Sequence, residues 1–189
     1  DLYIPASNSI MEILRSHADK FEQGGIDEAY LDISNQVKDF DEAEVFAKHL
    51  MEEVLEKTRL TCSIGVAPNK MVAKIASDFK KPYGLTVVKP EDVQDFLFPL
   101  DVRKIPGVGS KTDRALKELN IQTVRDLASA KPEMLTRLFG TWGARLHELA
   151  HGIDNSEVVE KYETKSIGRD TTFEWMLTMK CRSFRSWMS

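Results

Sequence analysis

Two acidic side chains stand side by side in the segment IDEAYLDIS, which follows the pair Gly24-Gly25. The segment is short, β-branched and aromatic, which predicts a strand with Asp27 and Glu28 at its mouth. Adjacent carboxylates are costly to bury unless they are solvated, paired or bound to a cation. Two hard oxygen donors suit Mg²⁺, which also takes water and substrate phosphates as ligands. The pair is therefore a candidate metal site, although a solvated acidic turn would contain the same two residues.

The segment IPGVGSKTDRAL, residues 105–116, has the residue types of a hairpin between two short helices. Glycines let the backbone approach a ligand closely, and the start of a helix favours an anion through its N–H groups and dipole. A DNA phosphate suits such a site. The candidate contacts are Gly107, Val108 and Gly109, and Lys111 adds a salt-sensitive attraction. The alternative is a glycine-rich turn that only packs.

A second glycine segment, FGTWGARL at residues 139–146, resembles the first because it also lies between two predicted helices. It lacks the Pro-Gly entry and carries an aromatic side chain at its tip. For this segment, packing is favoured over contact with DNA.

Charge is distributed unevenly along the 189 residues, whose formal net charge is −4. Residues 1–58 carry fourteen acids and five bases, whereas the remaining residues carry sixteen acids and twenty-one bases. An acidic half suits bound cations and a basic half suits phosphates, although solvated acidic helix faces would give the same counts. Two cysteines, Cys62 and Cys181, are too few for a disulfide framework. With no long apolar run, the sequence predicts a soluble, cytoplasmic protein.

The elements that position these residues follow from apolar spacing, caps and turn residues. In the first half the predicted elements alternate in the order αβαβαβα: 9–21, 26–34, 41–58, 60–67, 68–79, 84–88 and 90–97. Asp41 and Glu44 resemble a capping box for the third of these. From residue 100 only short helices are predicted, at 101–104, 110–119, 123–129, 132–138 and 142–151. The chain should therefore fold as an α/β layer followed by a small helical domain.

Four segments in one order identify a family. They are IDEAYLDIS, CSIGVAPNKMVAKIASDFKKPYGL, the hairpin IPGVG and the run KSIGR, residues 165–169. Together they resemble the Y-family, DNA polymerase IV-like (DinB-type) translesion DNA polymerases, from about Ile10 to Glu174. The resemblance implies an α+β fold, with a ferredoxin-like palm of incomplete sheet and packed helices over 1–98. An all-helical thumb with a helix-hairpin-helix motif should follow over 99–164, and a linker start with a tail over 165–189.

The same resemblance implies roles for individual residues. Asp27 and Glu28 match catalytic carboxylates at the metal site, and Lys81 matches the lysine that meets the incoming triphosphate. Gly107, Val108 and Gly109 match the thumb hairpin that holds the DNA backbone, which places the neighbouring Lys111 against phosphates. The implied cofactor is Mg²⁺. The implied partners are primer-template DNA, deoxynucleoside triphosphates and, through segments outside this chain, a sliding clamp.

Two departures from the family pattern carry expectations of their own. The family begins with a strand that holds another metal-binding aspartate and with a fingers domain, and both would precede Asp1. The palm sheet is then expected to have an unpaired gap or edge, and the chain to be inactive alone. Residues 175–189, WMLTMKCRSFRSWMS, look unlike a folded element and are hypothesised to be non-native.

Three functions compete at this stage. The first is template-directed, low-fidelity DNA synthesis by nucleotidyl transfer to a primer 3′-hydroxyl. The second is a non-catalytic protein that binds DNA through the helix-hairpin-helix thumb. The third, a nucleotide cyclase suggested by GGIDEA, is disfavoured because Ile26 interrupts the cyclase signature and a helix-hairpin-helix has no use in a cyclase. Metal-dependent nucleotide incorporation separates the first two.

Overall fold

The computed structural model describes residues 3–160 and the backbone of residues 176–181. Its regular elements, in chain order, are α1 (Tyr3–Ser16), β1 (Lys20–Gln23), β2 (Glu28–Asp32), α2 (Phe40–Thr58), β3 (Cys62–Ala67), α3 (Lys70–Phe79), β4 (Leu85–Val87), α4 (Val93–Leu97), α5 (Ser110–Glu118), α6 (Val124–Ser129), α7 (Pro132–Phe139), α8 (Thr141–Ala150) and β5 (Met176–Cys181). Short 3₁₀ turns precede α4 and α5, at Pro90–Asp92 and Val102–Lys104. The predicted fold class, an α/β layer followed by short helices, is confirmed.

One five-stranded sheet forms the first part of the chain, in the order β1-β2-β5-β3-β4. The pairs β1–β2, β2–β5 and β3–β5 are antiparallel, and β3–β4 is parallel. Alternation along β2 sends Ala29 and Leu31 into the core and leaves Glu28 and Tyr30 on the opposite face. The face of Glu28 is therefore the one on which a polar site can form.

Helices cover both faces of this sheet. On one face α1 and α2 contribute side chains such as Leu14 and Leu50 to a core shared with Leu31 and Ile64. On the other face α3 lies close to β3, since a Cβ on Gly65 would stand 2.1 Å from the backbone oxygen of Ala73. The strand β3 is accordingly buried along its whole length.

Strand β1 was not predicted. The sequence predicted one helix through Phe21, but α1 ends at Ser16 and Phe21 pairs with Leu31 across the β1–β2 hairpin. Phe21 is buried in the core, so it satisfies the helical spacing and the strand pairing equally well. Long-range pairing decides between them.

The start of α2 also differs from the prediction. The N-cap is Asp39, whose side chain accepts a hydrogen bond from the Glu42 N–H at 2.8 Å. Glu42 in turn accepts from the Lys38 N–H at 2.9 Å. The cap is therefore built two residues before the predicted Asp41, and it is not reciprocal, because Glu42 accepts from the N–H of Lys38 and not from that of the N-cap Asp39.

Strand β5 corrects two further expectations. Residues 176–181 were expected to lack folded structure, and the sheet was expected to have a gap or edge. In the structure β5 lies between β2 and β3, with Glu28 opposite Lys180 and Cys62 opposite Cys181. Both neighbouring strands thereby gain a hydrogen-bonding partner. The KSIGR run at 165–169 lies outside the described residues.

The chain divides into two compact units, one formed by residues 1–88 and 155–189 and the other by residues 89–154. The second unit contains the helices from α4 to α8 around fully buried leucines such as Leu116, Leu127 and Leu146. The predicted boundaries at 98 and 164 remain predictions. In the part of the chain that the structure describes, no helix combines the length and apolar character that a membrane crossing requires.

Candidate active site and nucleic-acid hairpin

Glu28, the first residue of β2, is held by two donors from the same face of the sheet. Lys74 of α3 forms an ion pair and hydrogen bond with Glu28 Oε1. Tyr30 Oη donates to the same oxygen at 3.2 Å. The Glu28 side chain is only 14% exposed, so this carboxylate sits in a partly desolvated position with a fixed cation beside it. The two hydrogen bonds fix the orientation of this carboxylate.

Asp27 lies in the short turn that joins β1 to β2. The Gly24 N–H donates to the Glu28 carbonyl at 2.8 Å, which closes the hairpin just ahead of the acidic pair. Asp27 is half-buried and its carboxylate lies near Gly25, whose Cβ, if present, would be 3.9 Å from Oδ1. The turn therefore places two consecutive carboxylates at one end of β2, as the sequence predicted for the strand's mouth.

Lys81 follows the end of α3 and forms an ion pair with Asp78, one turn earlier. Both side chains are about one-third exposed, at 33% and 35%. The loop after Lys81 is tightly closed, because a Cβ on Gly84 would stand 1.8 Å from the Lys80 carbonyl oxygen. The acceptor oxygen of this pair, Asp78 Oδ1, is itself buried.

The hairpin at residues 107–109 connects the 3₁₀ turn to α5. Gly107 has φ +91°, a conformation that favours glycine. The Val108 N–H donates to the Ile105 carbonyl at 3.1 Å, and the Val108 side chain is buried. Gly109 is the N-cap of α5 and supplies no side-chain acceptor for the first N–H groups of the helix.

The N–H groups in the first turn of α5 are therefore available to an anionic ligand. Lys111 lies in that turn and is exposed. A Cβ on Gly109 would meet no atom within 4 Å, so the approach to this backbone is open. Farther along α5, Asp113 raises the pKa of Lys117 through a hydrogen bond of 2.9 Å.

The second glycine segment packs against the first. A Cβ on Gly107 would stand 2.6 Å from Cη2 of Trp142, the aromatic residue at the tip of residues 139–146. Gly143 lies against α7, where a Cβ would be 2.0 Å from the Leu135 carbonyl oxygen. This packing agrees with the role that the sequence favoured for the second segment.

Two family models match the chain. The model of the impB/mucB/samB family matches residues 1–78, and that of the IMS family HHH motif matches residues 90–121. DNA polymerase IV 2 of Methanosarcina mazei is 52% identical over 172 residues, which are 91% of this chain and 47% of that protein. DNA polymerase IV of Methanoculleus marisnigri is 49% identical over 91% of this chain and 48% of its own length.

Solved structures agree with these relatives. DinB from Sulfolobus solfataricus superposes with a TM-score of 0.77 at 44% identity, over 83% of this chain and 47% of that one. A Y-family DNA polymerase chimera gives a TM-score of 0.80 at 43% identity, over 86% and 48% of the two chains. This chain is a DinB-type member of the Y family. It spans about half the length of the curated relatives that it matches.

Y-family membership implies a divalent metal ion, and the described residues fit one in part. Within those residues, no group of three or more His, Cys, Asp and Glu side chains is arranged to hold an ion. Asp27 and Glu28 provide two carboxylates at one strand end. Such a set suits Mg²⁺, which completes its shell with water and substrate phosphates, rather than a closed protein cage.

Lys74 and Tyr30 were not among the site residues predicted from the sequence, yet both contact the Glu28 carboxylate. The available signal was the spacing of Lys70 and Lys74, which are four residues apart and so share one face of α3. Lys70 also reaches the sheet, where it pairs with Glu22 at 2.6 Å. In this Y-family chain, two lysines of one helix face thus each hold one carboxylate of the β1–β2 hairpin.

Proposed function

We propose that the protein is a template-directed DNA polymerase of the low-fidelity translesion class, which transfers a nucleotidyl group to a primer 3′-hydroxyl. The single observation that carries the proposal is the acidic pair Asp27-Glu28 at the start of β2, in a chain of the DinB-type Y family. Relatives at 52% and 49% identity bear the name DNA polymerase IV. The proposal concerns the whole protein to which this length of chain corresponds.

In this proposal, Asp27 and Glu28 hold Mg²⁺ and are the catalytic carboxylates. When bound, the ion activates the primer hydroxyl and stabilises the leaving pyrophosphate. The protein's own contribution is to place both carboxylates at the start of β2, which the β1–β2 turn achieves, and to hold Glu28 through Lys74 while the ion is absent.

Lys81 binds the triphosphate of the incoming deoxynucleotide. Its side chain is about one-third exposed and pairs with Asp78, so a phosphate would compete with that carboxylate for the ammonium group. A point charge on a flexible stem suits a phosphate chain whose position changes during transfer. We expect Lys81 to act on nucleotide affinity more than on the folded state.

Primer-template DNA contacts the first turn of α5 through phosphates. Gly107, Val108 and Gly109 shape the hairpin, while Lys111 contributes a charge that salt screens. The insertion ternary complex of Dbh DNA polymerase, a solved relative, supports this proposal. A sliding clamp would bind through segments outside the described residues.

We expect the 189-residue chain to extend primers far more slowly than a full-length relative. Asp27 and Glu28 are the two candidate metal ligands, and no group of three or more such side chains is found among the described residues. Two carboxylates are too few to offset the repulsion between two closely spaced metal ions. The test is a primer-extension assay with Mg²⁺, using DNA polymerase IV 2 of Methanosarcina mazei as the control. Extension at the rate of the control would contradict this placement of the active site.

A second candidate function is DNA binding without chemistry. It is favoured by the hairpin at 107–109, whose open α5 terminus needs no metal to hold a phosphate. The two candidates are separated by isothermal titration of the chain with a deoxynucleoside triphosphate and Mg²⁺. Binding that Asp27→Asn and Lys81→Ala each weaken supports the polymerase, whereas DNA binding with no nucleotide binding supports the alternative.

A further inference from the structure

The carboxylate of Glu28 already has a cation. Lys74 reaches it from α3, 46 residues away in sequence, and forms the ion pair described above. The lysine side chain is 27% exposed and the glutamate side chain 14%, so both charges are partly removed from water. This pair is therefore more strongly coupled than the pairs on the outer surface of α2.

We propose that Lys74 is a positioning residue that holds Glu28 in the metal-free protein and competes with the divalent ion for that carboxylate. The inference rests on the proposed function, because it takes Glu28 as a metal ligand. It adds a residue that sets metal affinity without itself being a ligand.

The competition follows from where the donors bind. Lys74 and Tyr30 both donate to Oε1 of Glu28, so an ion that takes this oxygen must displace the ammonium group. An ion that takes the other oxygen would still lie a few ångströms from a positive charge. Either arrangement lowers affinity, because like charges at this distance repel even when water screens them. The ion thus either replaces Lys74 on Oε1 or binds against its charge on the other oxygen.

Lys70 provides a matched control on the same helix. It lies four residues before Lys74 and pairs with Glu22 Oε2 at 2.6 Å, with its Nζ 4.7 Å from the centre of the Tyr30 ring. Its side chain is also partly buried, at 14% exposed. Lys70 therefore carries the same charge close to the site but does not contact Glu28 Oε1. Neutralising Lys70 therefore measures the effect on metal affinity of a positive charge on this helix that does not contact Glu28.

The experiment measures Mn²⁺ binding to the 189-residue chain by electron paramagnetic resonance. Neutralisation in Lys74→Met should tighten binding about tenfold, the effect of removing one cation a few ångströms from a divalent ion in a water-like dielectric. Lys74→Arg should bind Mn²⁺ with an affinity within about threefold of the wild-type value, because arginine keeps the charge and the hydrogen-bond donors. Lys70→Met and the surface variant Lys48→Met, whose lysine pairs with Glu44 on α2, should change affinity much less.

A second neutral variant, which retains a hydrogen-bond donor, covers the case in which Lys74→Met does not fold. Lys74→Gln removes the charge but can still hydrogen-bond Glu28, so it should also bind Mn²⁺ more tightly than the wild type. It replaces Lys74→Met in the test if that variant does not fold. In the double variant Lys74→Met with Glu28→Gln, the gain should disappear. A gain that persists in this double variant would show that Lys74 acts elsewhere.

The outcomes distinguish this inference from the proposed function. If Asp27→Asn and Glu28→Gln bind Mn²⁺ as tightly as the wild type does, the metal site itself is wrong. If those variants lose binding while Lys74→Met and Lys74→Gln match the wild type, the site stands and the role of Lys74 is overturned. Equal gains in Lys70→Met and Lys74→Met would likewise overturn it, since the field of the helix would then explain both.

Discussion

Trp142 lies directly against Gly107, leaving no room for a side chain there. A Cβ on Gly107 would stand 2.6 Å from Cη2 and 2.8 Å from Cζ2 of the indole. The tip of one glycine segment thus closes over the turn of the other. Since the φ of Gly107 is also +91°, two independent constraints require glycine at this position.

We predict that Gly107→Ala destabilises the protein by about 2 kcal/mol, through the positive φ and the contact with Trp142. Urea unfolding followed by circular dichroism measures the change. Gly109→Ala is the control, because Gly109 has φ −84° and open space around it. Adding Trp142→Ala to Gly107→Ala should recover part of the loss, and strictly additive costs would show that the two residues do not interact.

We predict that the hairpin at residues 107–109 binds DNA. Gly109→Leu places a bulky side chain beside the first turn of α5 without strain, so it should weaken DNA binding while the fold survives. The loss should be the same for duplexes of unrelated sequence, and affinity should fall as salt rises. Fluorescence anisotropy at two salt concentrations provides the measurement.

A matched variant adds the same bulk elsewhere. Thr136→Leu lies on the exposed surface of α7 and should leave DNA affinity unchanged. If Gly109→Leu binds DNA as the wild type does, the hairpin is only a turn between packed helices.

The capping box of α6 gives a pH prediction. Asp126 accepts hydrogen bonds from the Gln122 and Thr123 N–H groups at 3.1 and 2.9 Å, and the Thr123 bond is the main reason that the pKa of Asp126 lies below the ordinary value for an aspartate. A lowered folded-state pKa stabilises the protein above the unfolded value and ceases to do so as the pH falls through the folded value. Asp126→Asn should therefore cost about 0.5–1 kcal/mol at pH 7.

The same variant should match the wild type at pH values below the folded pKa of Asp126, where the wild-type carboxyl is also neutral. Thermal unfolding from pH 7 down to about pH 2 tests this, with the exposed Glu52→Gln on α2 as the control. If the melting temperatures of Asp126→Asn and the wild type differ by the same amount across this pH range, the charge of Asp126 plays no part in the cap.

Local signals predicted most of the fold. Asn69 caps α3 by accepting a hydrogen bond from the Val72 N–H at 3.0 Å, and such a cap is visible in sequence because donor and acceptor are three residues apart. The helices of the second unit were predicted to within one or two residues, since a Gly or Pro lies at or next to most of their ends. Phe21 shows the limit, because its burial satisfies a helix and a strand equally.

The candidate site was predictable in its residue types but not in its contacts. The acidic pair and the hairpin glycines are recognisable from sequence, because chemistry and turn geometry limit those positions to few residue types. The partner of Glu28 is 46 residues away, and only the packing of α3 across the sheet brings Lys74 to it. Strand β5 was missed for the same reason, since its place between β2 and β3 depends on pairing over long separations.

Lys81 allows a prediction on nucleotide use. It can be tested in a chimera of DNA polymerase IV 2 of Methanosarcina mazei. In this chimera, the 172 residues that match this chain are replaced by those of this chain. Lys81→Ala in this chimera should raise the KM for deoxynucleotides about tenfold or more with little loss of thermal stability, because an exposed pair contributes little to folding. An unchanged KM would remove Lys81 from the nucleotide site.

The central claim is that Asp27 and Glu28 perform metal-dependent nucleotidyl transfer, and primer extension by the same chimera tests it most directly. We predict Mg²⁺-dependent extension that Asp27→Asn or Glu28→Gln reduces at least about a hundredfold, the scale on which losing a metal ligand acts. Asp95→Asn on the exposed surface of α4 should extend as the unmodified chimera does. Undiminished extension by the Asp27→Asn, Glu28→Gln double variant would contradict the account.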